Sequence, residues 1–159
     1  MSSRKRFPGE DDDDRHNPKS KSFCRACIDI TAFDIANGDK GKQRPKDCPP
    51  DRTALGRHTW SFLHSVAAYY PINPSSMHKA AAKKLVDSVA DLYPCLECGQ
   101  DFKYQIAQYP IKLDDRVSLS GWMCMQHNFV NKKLGKELFD CSKVDERWRT
   151  GWKDGSCDV

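Results

Sequence analysis

The sequence predicts an all-α protein, a four-helix bundle with a short fifth helix, and three observations carry that prediction. Apolar residues recur at a spacing of three and four in successive segments. No stretch alternates with period two, and clusters of Val, Ile and Thr are absent. The connections between the periodic segments are short, which favours antiparallel neighbours and hence a bundle.

The elements follow in chain order. Residues 1 to about 22 are polar with clustered like charges, including four acids at 11–14, and read as a disordered tail. A short island, 23–30, carries Cys24 and Cys27, and a lysine- and glycine-rich stretch at 37–46 follows it. A cysteine pair between two such mobile stretches can travel. The expected organisation is a flexible segment, 1–47, followed by a folded domain, 48–159. Asp51 can cap a first helix bearing Thr59, Phe62, Leu63, Val66, Ala67 and Tyr70, which Pro71 ends. Asn73-Pro-Ser-Ser76 opens a second, with Met77, Ala81, Leu85, Val89 and Leu92 on one face. Tyr93-Pro94 closes it and sets Cys95 at the start of a third helix running to about Gln108. Ser118 can cap a fourth, carrying Leu119, Trp122, Met123, Gln126, Val130 and Lys133, with Gly135 as its stop. Ser142-Lys-Val-Asp145 has capping-box spacing, with Asp for the usual Glu, and opens a short fifth helix ending near Gly151.

Composition narrows the function classes. The 159 residues carry 26 basic and 22 acidic side chains, a net charge of +4, with the two signs interspersed. That pattern offers no stripe for phosphates, so nucleic acid is not an expected partner. No apolar run approaches the ~18 residues of a membrane span. The N-terminal residues have neither the apolar stretch of a secretory signal nor, given the acids at 11–14, the character of a transit peptide.

Eight cysteines favour a disulfide-permissive compartment or a metal site, although parity alone leaves 105 pairings. Tyr93-Pro-Cys-Leu-Glu-Cys98 is the most informative stretch. A C-x-x-C pair opening a helix can close a small disulfide ring, and the unpaired amides of the helix N-terminus favour the thiolate that attacks disulfides. A zinc site would need four ligands, but Cys24–Cys27 and Cys95–Cys98 lie much farther apart than the ~15–20 residues between zinc-ribbon pairs; no metal is expected. A thioredoxin-like scaffold would need a βαβ framework, which is missing. The redox pair of a helical scaffold needs an electron acceptor, and a flavin can pass two electrons to oxygen. Cys124, in the fourth helix, and Cys141, just before the fifth, would close a loop of ~15–20 residues, worth about 3 kcal/mol in the loop-entropy description. Cys48 and Cys157 flank the folded region and could join within one chain or between two.

These residues resemble the Erv/ALR family of FAD-linked sulfhydryl oxidases, of the augmenter of liver regeneration type. The likeness runs from Cys24 to Asp158 through Cys24-Arg-Ala-Cys27, Asp47-Cys-Pro-Pro-Asp-Arg52, Leu55-Gly-Arg-His58 with Trp60, Leu63-His64, Ala67-Ala-Tyr-Tyr-Pro71 and Tyr93-Pro-Cys-Leu-Glu-Cys98. It continues with His127-Asn128, Val130-Asn131, Lys133-Leu-Gly-Lys136, Phe139-Asp-Cys-Ser-Lys-Val-Asp-Glu-Arg-Trp148 and Gly151-Trp-Lys-Asp-Gly-Ser-Cys157. The stretch 104–120 matches the family poorly.

The resemblance implies an FAD-dependent thiol oxidase that acts as a homodimer and makes disulfides in protein thiols. It implies Cys98 as the sulfur facing the isoalloxazine ring, Cys95 as the outer sulfur that exchanges, and Cys24–Cys27 as the shuttle pair that accepts electrons from the substrate. Cys124–Cys141 resembles the family's structural bridge and Cys48–Cys157 its intersubunit bridge. The implied flavin contacts are Arg52, Gly56, Arg57, His58, Trp60 and His64 in the first helix and Asp101 after the redox pair. From the fourth helix and beyond come Cys124, His127, Asn128, Val130, Asn131, Lys133, Lys136, Arg147 and Trp148. Trp60 and Trp148 offer faces for stacking, His127 and Asn131 share one helix face, and Arg57, Lys133, Lys136 and Arg147 carry charge suited to a pyrophosphate. Singly, each has an ordinary packing or surface reading; their joint match points to one site. The family further implies electron transfer to oxygen, giving H2O2, or to cytochrome c. It implies reoxidation of a Mia40-type import receptor in the mitochondrial intermembrane space. The missing leader fits that location, and a cytoplasmic protein would share the feature.

Overall fold

The computed structural model describes residues 24–27 and 48–157; the expected tail and the 37–46 stretch lie outside the described residues. A 3-10 turn, Arg25–Cys27, precedes four helices: α1 (Arg52–Ala68), α2 (Ser76–Leu92), α3 (Leu96–Gln108) and α4 (Arg116–Lys133). A 3-10 turn, Cys141–Lys143, and a five-residue π-helical turn, Glu146–Thr150, complete them. The all-α expectation holds, with no strand among the described residues.

Local chemistry sets most boundaries as the sequence predicts. Asp51 Oδ1 accepts from the Ala54 amide at 2.8 Å and opens α1. Ser75 opens α2 in a capping box with His78, each bonding the other's backbone. Cys95 is the cap of α3, its sulfur accepting from the Cys98 amide at 3.4 Å. Two caps differ from expectation. Asp115, not Ser118, opens α4, its carboxylate accepting from the Ser118 amide at 2.7 Å. The helix therefore starts a turn earlier, and only 109–115 of the poorly matching stretch is non-helical. The Ser142/Asp145 capping box does not form either. Asp140 accepts from the Ser142 amide at 3.0 Å, and Asp145 instead meets Arg116 Nη1 at 2.5 Å. Gly135 (φ +65°) and Gly151 (φ +81°) end their helices in the left-handed region, where a side chain would be strained.

Helix α1 packs along α4, and α2 along α3. The core joins Leu63, Ala67 and Tyr70 to Ala82 and Val86 of α2 and to Leu119, Trp122 and Met123 of α4, with Phe102 and Ile106 of α3 packed against it. Each large buried side chain contributes about 1.5–3 kcal/mol. Of the predicted face of α2, Leu85 and Val89 pack against the core, but the fully buried residues lie one position on, at Ala82, Val86 and Ala90, while Met77 and Leu92 are 79% and 77% exposed. The reason is a close approach. A Cβ on Gly99 of α3 would stand 2.8 Å from the Ala90 carbonyl oxygen, so only the small-residue face of α2 fits there. Phe62, expected inside, is 54% exposed across from that displaced apolar stripe.

Candidate functional site

A cavity of about 1080 Å³ is walled by α1, α3, α4, the 134–139 segment and the π-helical turn. It exceeds the ~300–1,000 Å³ of typical small-ligand sites, so it suits an extended ligand. Four parts of the chain distant in sequence converge on it.

Helix α1 presents Arg52, Gly56, Arg57, Trp60 and His64, and α3 presents Cys98 and Asp101. Cys124, His127, Asn128, Val130, Asn131 and Lys133 come from α4, followed by Lys136, Arg147 and Trp148. Of the predicted flavin contacts, His58 alone is absent from this wall. It lines a neighbouring groove of about 480 Å³ with Leu55, Phe62, Val89 and Leu92. The redox pair divides in the same way: Cys98 lines the cavity, whereas Cys95 is buried, 2% exposed, and does not. A sulfur expected to meet incoming thiols is thus covered in this conformation.

Two aromatic stacks organise the wall. Trp60 lies flat on His127, centroids 4.3 Å apart and planes 4° from parallel, and His64 lies flat on Trp148 at 4.7 Å and 2°. Each indole predicted as a stacking surface thus already has an imidazole on one face. His64 Nε2 and His127 Nδ1 are 3.0 Å apart, so one donates and the other accepts. Burial pushes the His64 pKa down to about 3, aided by the positive charge of His127 and Arg147, and that of His127 to about 4, aided by Lys136. Both imidazoles are therefore neutral at pH 7.

His64 Nδ1 is buried and has no partner among the described residues. A buried ring nitrogen left unpaired is costly, and its position in the cavity wall calls for a ligand atom. Arg52, Arg57, Lys133, Lys136 and Arg147 supply positive charge, offset in part by Glu97, Asp101 and Glu137. Lys133 pairs with Asp101 across the opening between α4 and α3, and the Arg147 guanidinium lies 4.8 Å from the Trp148 ring centre. Flat rings, an unpaired buried nitrogen and a basic rim fit a flavin dinucleotide.

The cysteines close as Cys24–Cys27, Cys95–Cys98 and Cys124–Cys141, with Cys48 and Cys157 free and exposed. Within the chain, the two flanking cysteines are not joined. The Arg25–Cys27 turn packs on α1 and α3, the helices that flank Cys98.

Sequence reasoning missed several wall residues. Phe102 meets Trp60 edge-on at 5.9 Å, and Phe139 closes the far side. Tyr93 lines both the cavity and the smaller groove, and burial pushes its phenol pKa up. The Tyr-Pro-Cys run put Tyr93 beside the redox pair, which was the available signal.

Residues 57–149, more than half of the chain, match the Erv1 / Alr family. The chain is 42% identical over 106 residues to the mitochondrial FAD-linked sulfhydryl oxidase ERV1 of Saccharomyces cerevisiae, covering 67% of this chain and 56% of that protein. To the FAD-linked sulfhydryl oxidase ERV1 of Arabidopsis thaliana it is 39% identical over 112 residues, 70% of this chain and 59% of that one. It thus spans a little over half the length of these relatives. Its structure is similar to the crystal structure of the yeast Erv1 core, with a TM-score of 0.67 and 40% identity over 72% of this chain and 97% of that one. The FAD-binding domain of Saccharomyces cerevisiae Erv1 is similar at a TM-score of 0.64 and 41% identity, over 66% of this chain and the whole of that one.

Proposed function

From the premise that the chain belongs to the Erv1 / Alr family, we propose that it is an FAD-dependent sulfhydryl oxidase that makes disulfides in protein thiols. One observation carries the reading: Cys98, half of a vicinal disulfide at the N-terminus of α3, lines the same cavity as the unpartnered Nδ1 of His64 and the two aromatic stacks.

Arg57, Lys136 and Arg147 would offset the pyrophosphate charge, with Lys133 exchanging Asp101 for phosphate. His64 would give its free ring nitrogen to the ligand, while Trp60, His127 and Trp148 hold flat surfaces. Bound FAD supplies the two-electron acceptor, passing electrons on to oxygen, with H2O2 as product, or to cytochrome c.

The chain's own steps are thiol–disulfide exchanges. A client thiolate attacks the Cys24–Cys27 disulfide and forms a mixed disulfide; the client's second thiol resolves it, leaving an oxidised client and a Cys24/Cys27 dithiol. That dithiol attacks Cys95 in the same manner, and the leaving sulfur is Cys98. As a thiolate, Cys98 lies in the first turn of α3, where the helix dipole lowers its proton affinity. The buried Cys95 requires a local opening before attack, which selects for a partner that docks.

The docking of the Arg25–Cys27 turn on α1 and α3 supports the shuttle role. The exposed apolar groove of Leu55, Phe62, Val89 and Leu92, and the free Cys48 and Cys157, support a homodimer with these cysteines bridging the subunits. The client is a Mia40-type receptor and the compartment the mitochondrial intermembrane space. The names of the relatives from Saccharomyces cerevisiae and Schizosaccharomyces pombe, both mitochondrial oxidases, support the location. The test is the visible spectrum of the purified protein together with oxygen uptake on adding dithiothreitol. A flavin spectrum bleached by dithiol and restored by air is expected; a colourless folded protein overturns the reading.

A further inference from the structure

Asn128 lines the cavity, and its amide is fully engaged within the chain. Nδ2 donates to the Phe139 carbonyl at 2.9 Å and faces Cys141 Sγ at 3.5 Å. Oδ1 accepts from the Phe139 amide at 2.9 Å and from Asn131 Nδ2 at 3.3 Å. A primary amide has two donor hydrogens and two acceptor lone pairs, so all four positions are taken. The reciprocal pair with one residue's N–H and C=O also fixes which end of the amide is oxygen. A cofactor bond from Asn128 would require surrendering one of these four.

The segment so held forms the outer wall of the site. Leu134, Lys136, Glu137, Leu138 and Phe139 line the cavity, yet none belongs to a helix. It leaves α4 through the left-handed Gly135, which carries the chain back along the helix. It is fastened to α4 one turn apart at Cys124–Cys141 and at Asn128–Phe139. The disulfide fixes only the far end of the segment, and the Asn128 pair fixes the stretch that faces the cavity.

We infer that Asn128 is a positioning residue rather than a cofactor ligand: it seats the 134–141 strap that closes the outer wall of the cavity. The inference rests on the flavin reading for what the wall encloses. Its hydrogen-bond geometry stands without it. Asn131, which spends one donor on Asn128, keeps its carbonyl for a ligand.

The test compares FAD-loaded wild type, Asn128→Ala and Asn128→Asp at saturating FAD, by amide hydrogen exchange at Phe139 and by the FAD dissociation constant. Loss of the pair is expected to speed Phe139 exchange in Asn128→Ala by at least about tenfold and to weaken FAD binding by about tenfold or more. Asn128→Asp retains the acceptor for the Phe139 amide but sets a carboxylate against its carbonyl. It should keep Phe139 protected more than Asn128→Ala does, yet still bind FAD more weakly than wild type. If Asn128→Ala does not fold, Asn128→Asp decides: weakened FAD binding with altered exchange across 134–141 supports the strap. Weaker FAD binding with wild-type exchange in both variants would make Asn128 a direct ligand and overturn the inference. So would altered exchange with wild-type affinity, because the strap would then not close the site. A wild-type protein that binds no flavin overturns the proposed function instead, and the exchange comparison remains readable.

Discussion

The two C-x-x-C pairs are geometric twins in different surroundings. Both are closed with Cα atoms 5.3 Å apart. Cys95–Cys98 caps a 13-residue helix, buries one sulfur and presents the other to a large cavity. Cys24–Cys27 is half-buried and closes around a three-residue 3-10 turn, Arg25–Cys27, that packs on α1 and α3. Spacing therefore makes the ring, and the neighbourhood assigns the role. A helix dipole and a cofactor-sized space favour electron transfer at one pair, while a short turn favours delivery at the other.

The sharpest way to break the comparison is Cys98→Ala. Turnover should fall by at least ~1,000-fold with dithiothreitol and with a protein client alike, since the sulfur beside the cavity serves both. The flavin spectrum of the variant should persist. Residual turnover near wild type would remove Cys98 from the electron route and leave the cavity unconnected to the pair.

A seat rather than a sulfur is altered by Gly99→Ala. The added Cβ would lie 2.8 Å from the Ala90 carbonyl oxygen and 3.3 Å from Tyr93 Cβ, and backbone cannot yield as a flexible side chain would. A cost of about 1–3 kcal/mol, read from the denaturant midpoint, is expected. Turnover per remaining flavin should fall as well, because the first turn of α3 carries Cys98. A variant as stable and active as wild type would mean that α2 and α3 tolerate a wider spacing than the structure shows.

Much of this arrangement was legible beforehand, and the exceptions share a cause. Asp51 was readable as a cap, and Cys95 as the start of its helix, because a helix start is a local event decided within about four residues. Ser118 and Ser142 were mistaken for caps because an aspartate two or three positions earlier, Asp115 or Asp140, takes the serine's own amide and so starts the turn ahead of it. The centre of the buried face of α2 was missed by one position because Ala82, Val86 and Ala90 form a stripe beside the bulkier Leu85 and Val89, which pack only partly against the core. Only the approach of Gly99 across space decides between them. At the site, the family resemblance supplied the list and the fold supplied the sorting. His58 went to the smaller groove and Cys95 under cover. Asn128 was occupied by a bond to Phe139 that no local pattern announces.

Cys24→Ala tests the distal member of the comparison. Oxidation of dithiothreitol should stay within about twofold of wild type, because a small dithiol can meet Cys95–Cys98 during its openings, while turnover of a protein client should drop about tenfold. Equal loss with both substrates would deny the shuttle role and make the turn structural.

The smallest effect separates the pairs by pH. His64 and His127 stand in the cavity wall with folded pKa values of about 3 and about 4, both held down chiefly by burial, against about 6.5 in an unfolded chain. Above about pH 6.5 neither state takes up a proton at these rings, and their full contribution to stability is present. Below it the unfolded chain gains protons that the folded wall refuses, so stability falls steadily toward pH 4. Between pH 7 and 5 the loss should be on the order of 2 kcal/mol for each ring, read as a lower denaturant midpoint. The Cys24→Ala variant should show the same slope, since both rings lie in α1 and α4; replacing His64 with Asn should reduce it by about half, leaving the His127 share. A midpoint that does not move between pH 7 and 5 would mean that the two imidazoles are hydrated in the folded protein. In that case the cavity is not the dry compartment that sets the inner cysteine pair apart from the outer one.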